Sequence, residues 1–221
     1  AVVAQDGMRR MFQEQEDVFY YITVMNENYE HPEMPAGAAP DIVKGMYAFR
    51  KAAKSKGPRV QLLGSGTIFR EVIAAADLLR KDWGVEADLW GCPSFNELAR
   101  NGQDVQRWNL LHPLEAPKLS HVEKKLKDAK GPVIAATDYI RMFPEQIRPF
   151  VKAPYVTLGT DGFGRSDTRE KLRHFFEVDR HWVTLAALKA LADTGEIERE
   201  QVASALVKYD LDPNKPNPLS V

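Results

Sequence analysis

The sequence predicts an α/β fold with a mostly parallel sheet covered on both faces, and three observations carry that prediction. Between residues 59 and 158 short apolar runs alternate with helix-length amphipathic stretches, the order that builds right-handed βαβ units. Glycine turns, Gly64-Ser65-Gly66 and the loop opened by Gly159, directly follow two of those runs, as a strand handing over to a helix requires. Of 221 residues, 44% are hydrophobic and 10% aromatic, enough at this length for a core without staples.

Taken in order, Ala1-Val2-Val3-Ala4 reads as a buried strand, and Asp6-Gly7 as a turn into a helix with Met8, Met11 and Phe12 on one face. A chain that opens this way is expected to begin inside a larger protein. Residues 17–25, DVFYYITVM, are dense in β-branched and aromatic side chains and predict a strand. The stretch NENYEHPEMPAGAAP follows, with Pro32, Pro35, Gly37 and Pro40 and no apolar period, and is the linker candidate. Asp41 can cap a helix that turns Ile42, Val43, Met46 and Phe49 inward and ends in the basic run RKAAKSKGPR.

Residues 59–63 then predict a strand, and Thr67 to about Asp82 a helix whose Ile68, Val72, Ala75, Ala76 and Leu79 form a sheet-facing stripe. A strand over 86–90 follows. Short helices are expected over 94–111, with Ser94 and Glu97 as a capping box, and a charged helix over 118–130. Residues 132–136, PVIAA, suit a strand buried on both faces. Thr137 or Asp138 opens a turn, and Pro144 fits near the first turn of a helix reaching about Phe150. A strand over 155–158 and helices over 167–176, 182–191 and 198–209 complete the chain.

Thirty basic against 31 acidic residues leave a net charge of -1, which removes any global drive toward nucleic acid or anionic lipid. Neither partner is expected. No run approaches the roughly 20 apolar residues that cross a bilayer. Cys92 is the single cysteine, so an internal disulfide and a multi-thiolate metal site are excluded, and a cytoplasmic setting is expected.

Two loops could hold ligands. Gly64-Ser65-Gly66 opens a helix whose N-terminus attracts anions, but GSGTIF puts Phe69 where a dinucleotide fingerprint needs its third glycine, and a tight turn is expected. Gly159-Thr160-Asp161-Gly162-Phe163-Gly164-Arg165-Ser166-Asp167 lies at a sheet edge. The Gly-Asp-Gly metal signature of thiamine diphosphate enzymes fails there, because Thr160 interrupts the triplet and no asparagine occurs between Asn109 and Asn214. Asp167 with Glu170 reads as a helix cap with an acidic first turn. His31, His112, His121, His174 and His181 show no ligand spacing, and structural roles are expected for all five. Cys92 before Pro93 reads as a small buried residue, and GSG is not the GxSxG of a serine hydrolase. Arg50, Lys51, Lys54, Lys56 and Arg59 form the one concentrated basic run, without aromatic residues for base stacking; a solvated helix end is the first reading and contact with an acidic partner the second.

Over these residues the chain closely resembles the C-terminal part of the homodimeric, bacterial-type pyruvate dehydrogenases, thiamine-dependent decarboxylating components of the pyruvate dehydrogenase complex. The resemblance rests on YYITVMNENY at 20–29, VQLLGSGTIFREV at 60–72, FNELARNGQDVQRWNLLHPLE at 95–115 and TLGTDGFGRSDTREKLRHFFEVD at 157–179. It implies that residues 1–36 are the end of a pyrimidine-binding domain with its linker. Residues 37–221 would then form a transketolase-type C-terminal domain, a three-layer α/β/α Rossmann-like sandwich that buttresses a dimer. In that family the motif for thiamine diphosphate and magnesium, the activating glutamate and the catalytic histidines lie before Ala1. The resemblance therefore assigns no catalytic, cofactor-binding or metal-ligating residue here and implies an inactive fragment. Its implied partners are a second copy and the dihydrolipoyl acetyltransferase.

Overall fold

The computed structural model describes residues 1–53 and 56–221. A five-stranded sheet runs in the order β1-β3-β2-β4-β5, formed by β1 (Tyr47–Arg50), β2 (Arg59–Gly64), β3 (Glu86–Gly91), β4 (Val133–Ala136) and β5 (Tyr155–Leu158). All neighbours are parallel except β1, which pairs antiparallel with β3 at one edge. The expected strands after residue 59 are all present, and β1 is an addition.

Alternation along the strands sorts side chains into two cores. Val60, Leu62, Ala87, Leu89, Ile134 and Ala136 face one way, against α3 (Ile68–Trp83) and α8 (Arg180–Asp193), with Ala205 of α9 (Arg199–Lys208) outside them. Leu63, Trp90, Val133 and Ala135 face the other way, against Phe95 and Leu98 of α4 (Phe95–Leu111) and Val122 of α5 (His121–Leu126). These are the three expected layers. The stripe Ile68, Val72, Ala75, Ala76 and Leu79 is buried as its spacing requires, and Gly84 ends α3 in the left-handed conformation, φ 66°.

The second face also buries a polar network. Trp90 Nε1 donates to Gln61 Oε1 at 2.9 Å, and Gln61 Nε2 donates to Asp88 Oδ2 at 3.1 Å and the Lys130 carbonyl at 2.9 Å. Arg59 completes it at 3.0 Å from Asp88. Each buried polar atom has a partner, the condition under which such a network is tolerated in a core.

Several expected elements take another form. Residues 2–4 belong to a helix, α1 (Val2–Met8), which continues as a π-helical turn over Arg9–Gln13, so neither the first strand nor the Asp6-Gly7 turn forms. Gly7 lies within this helix and lets the Tyr20 ring pack close to it, 3.1 Å from where a Cβ would be. Residues 17–25 take no regular secondary structure and pair with no strand, and Phe19, Tyr21 and Val24 are more than 80% exposed. β-propensity describes fit to a sheet surface, and here no neighbouring edge is offered.

The helix from Asp41 is only α2 (Ala39–Val43), because Gly45 turns the chain at φ 94°. Met46 and Phe49 do face inward, but Phe49 does so from β1, packing edge-on against Phe69 at 5.1 Å. Residues 94–111 form one long helix, not several. Ser94 Oγ accepts from the Glu97 amide at 3.1 Å, but the Glu97 carboxylate turns to Arg100, so the reciprocal half of that capping box is missing. The complete box is at Ser120 and Glu123, at the start of α5, a much shorter helix than expected. Pro144 is the third residue of α6 (Met142–Glu145), which passes into a 3-10 turn at Arg148–Phe150. Its carbonyl accepts from the Tyr155 hydroxyl at 2.8 Å. Thr168, not Asp167, caps α7 (Arg169–Phe175), and Asp179 caps α8 by accepting from the amides of His181 and Trp182 at 2.9 and 3.0 Å.

Candidate functional site

Strand order fixes where a site can form. From β2 the chain moves to one side for β3 and crosses back to the other side for β4, so the loops after β2 and β4 diverge at their carboxyl ends. In that crevice Ser65 Oγ donates to Thr137 Oγ1 at 2.7 Å, and Thr67 Oγ1 donates to Asp138 Oδ2 at 3.2 Å. Gly66 is at φ 53°, and a Cβ there would meet Asp138 Oδ1 at 3.3 Å. The Gly64-Ser65-Gly66 turn thus lies beside a carboxylate of the same chain, with the Thr67 hydroxyl as the group that contacts it.

The loop after β5 closes the crevice. Thr160 Oγ1 donates to the Asp138 carbonyl, and the Thr160 amide donates to the Tyr139 carbonyl at 2.9 Å. Asp161 accepts from the Arg141 amide at 2.9 Å and from the Arg141 guanidinium. Gly162, at φ 95°, lies under the Pro218 backbone, where a Cβ would come within 2.6 Å of its carbonyl. Lys215 anchors that tail by donating to the Phe175 carbonyl at 2.7 Å and to Glu177 at 2.9 Å.

Between these loops and α7 lies an open cavity of about 260 Å³, lined by Thr67, Asp138, Thr160, Gly162, Gly164 and three arginines, Arg165, Arg169 and Arg173. The two loops that the sequence offered separately are therefore one place. What sequence reasoning missed is Asp138 as their link and the arginine spacing of four residues from 165 to 173, a signal open to reading once α7 is placed there.

Two of the arginines are held from behind. Arg169 pairs with Glu27 and donates to Asn26 at 3.0 Å. Arg173 donates to the Tyr29 hydroxyl at 3.1 Å and lies 3.4 Å from Glu71, while the Arg70 guanidinium covers the Tyr29 ring at 4.4 Å. Buried Glu71 also accepts from the Arg180 side chain at 2.9 Å and from its amide at 3.2 Å. Burial alone would raise the Glu71 pKa, but the hydrogen bonds and charge of Arg180, with Arg173 behind, bring it below the ordinary carboxylate range.

The remaining candidates are dispersed. His121 Nε2 is 2.8 Å from the Met46 carbonyl, and burial lowers its pKa. His112 stacks on Trp108 at 4.4 Å and His181 on Tyr209 at 4.9 Å, while His174 Nδ1 lies 2.9 Å from Asp179. His31 is exposed. Cys92 is 1% exposed, and burial pushes its thiol up, away from the thiolate a nucleophile needs. The basic run is not a helix end. Arg50 pairs with Asp77 at 3.1 Å, Lys51 lies 3.9 Å over the Trp90 ring, and Arg59 reaches Asp88 at 3.0 Å, so these three side chains are held by local partners. Lys54 lies outside the described residues.

These residues do not fit magnesium or a diphosphate carried by it. Asp161, the one acid in the Gly159 to Gly164 stretch, is committed to Arg141, and among the described residues no group of three His, Cys, Asp or Glu side chains could hold a metal ion. No helix of the described residues is long and apolar enough to cross a membrane.

The profile of the transketolase-like C-terminal domain family matches residues 45–179, and that of the pyruvate dehydrogenase E1 component middle domain matches residues 1–32. A pyruvate dehydrogenase E1 component of Cupriavidus necator is 78% identical over 222 aligned residues, covering 100% of this chain and 25% of the relative. Those of Pseudomonas aeruginosa and Escherichia coli K12 are 60% and 53% identical over 99% of the chain, covering 25% and 24% of their own lengths. The chain thus spans about a quarter of the curated relatives it matches. With the three-layer sheet and the profile over its main body, the chain belongs to the transketolase-like C-terminal domain family and corresponds to the C-terminal part of a pyruvate dehydrogenase E1 component.

Proposed function

We propose that this chain supplies scaffolding and dimer contacts to a cytoplasmic pyruvate dehydrogenase that decarboxylates pyruvate and passes the acetyl unit to lipoyl groups of a dihydrolipoyl acetyltransferase. Thiamine diphosphate, which supplies the carbanion chemistry, is held with magnesium by other parts of the homodimer. In this reading residues 1–36 end the pyrimidine-binding domain, residues 37–221 form the supporting domain, and no residue here is catalytic. The observation that carries the proposal is sequence identity of 78% across the whole chain to a relative about four times longer. The failed fit of Asp161 to a metal role supports it.

The physical task is register. Two cofactor-binding domains contributed by different subunits react only when held in place, because a displacement of about 1 Å can cost about a hundredfold in rate. The clamp of Glu27 and Tyr29 on Arg169 and Arg173 joins the first segment to α7 and suits that task. Removing residues 37–221 from the full-length enzyme is expected to abolish both the dimer, read by sedimentation equilibrium, and pyruvate decarboxylation. A truncated enzyme that stays dimeric and active would overturn the proposal.

A further inference from the structure

We propose that the cavity at the carboxyl edge of the sheet binds a small phosphorylated polyol, its phosphate on the arginines and a free hydroxyl on Asp138. Three features of the cavity lead there. Arg165, Arg169 and Arg173 line one side at a spacing of four residues. Arg169 and Arg173 are oriented from outside the cavity by Glu27, Asn26, Tyr29 and Glu71, so their positions exist before a ligand arrives. Arg165 forms no ion pair among the described residues and lies 5.3 Å over the Phe175 ring, while Glu71 is shared between Arg173 and Arg180, so the three arginines outnumber their carboxylates.

Geometry selects phosphate over carboxylate. A planar carboxylate suits one bidentate arginine, whereas a tetrahedral phosphate offers oxygens in several directions, enough for more than one of the three arginines in the lining. Gly164 keeps the approach open, since nothing lies within 4 Å of where its Cβ would be. The lining also carries Asp138, which accepts from Thr67 Oγ1 at 3.2 Å and repels a bare anion, so the ligand must meet it with a donor. A phosphate ester that also carries a free hydroxyl offers both an anion and a donor. At about 260 Å³ the space is below the usual range for drug-sized ligands, which limits the occupant to a few carbon atoms.

Isothermal titration of the 221-residue chain with glycerol 3-phosphate, inorganic phosphate and glycerate tests this, with Arg165→Gln and Asp138→Asn as variants and circular dichroism confirming that both fold. Glycerol 3-phosphate is expected to bind more tightly than phosphate, and glycerate not to bind. Arg165→Gln should weaken the ester about tenfold, the loss of one charge-assisted hydrogen bond. Asp138→Asn should remove the preference for the ester over phosphate. No binding of glycerol 3-phosphate at 10 mM ligand, equal affinity for phosphate, or an unchanged Arg165→Gln variant would overturn the assignment. Each of these results leaves the scaffold reading untouched, because that reading is tested on the dimer and on turnover.

Discussion

Replacing Gly131 by alanine is expected to lower the unfolding free energy by about 4 kcal/mol, or to prevent folding, because overpacking against rigid backbone adds to left-handed strain. Gly131 sits at φ 77° just before β4, and its Cβ would lie 1.7 Å from the Arg59 carbonyl at the start of β2. That contact cannot relax by a side-chain rotation. The two strands would have to separate at the central pairing of the sheet, where Gln61 and Val133 are in register. Gly195→Ala is the matched control. Gly195 has nearly the same φ, 74°, with nothing within 4 Å of the added atom, so it should cost only the conformational penalty of about 1–2 kcal/mol. Urea unfolding of both variants checks the pair. A similar loss in the two would show that strain, not the approach of β2, dominates at Gly131.

Glu71→Ala is the second large effect, expected at about 2–4 kcal/mol, below the range for a fully buried pair because Arg180 is half exposed and regains water. Glu71 is 6% exposed and ties α3 to α7 and α8 through Arg173 and Arg180. Its folded pKa lies below its unfolded one, so its contribution is fully present above the ordinary carboxylate value and is lost as pH falls through the folded value. The stability gap between wild type and Glu71→Gln should therefore be widest near neutral pH and shrink in acid. A gap independent of pH would assign the effect to packing instead.

Much of the fold was legible because its signals are local. Alternating apolar runs placed β2 to β5, and the 3.6-residue stripe placed α3, since both patterns follow from which face must be buried. What escaped depended on partners distant in sequence. Phe49 reads equally as a helical or strand position, and only Gly45 and the open edge of β3 decide for the strand. Residues 17–25 have strand composition without an edge to pair with, and residues 2–4 belong to a helix against which the Tyr20 ring packs at Gly7. The candidate site shows the same division. Both glycine loops were visible in sequence, but their convergence on Asp138 is a product of strand order, which the sequence states only indirectly.

The most direct measurement is release of carbon dioxide from labelled pyruvate by this chain alone, supplied with thiamine diphosphate and magnesium. Counts equal to the protein-free control are the predicted result, with release restored in the full-length enzyme. Sustained release by the chain unaided would contradict its standing as a supporting domain.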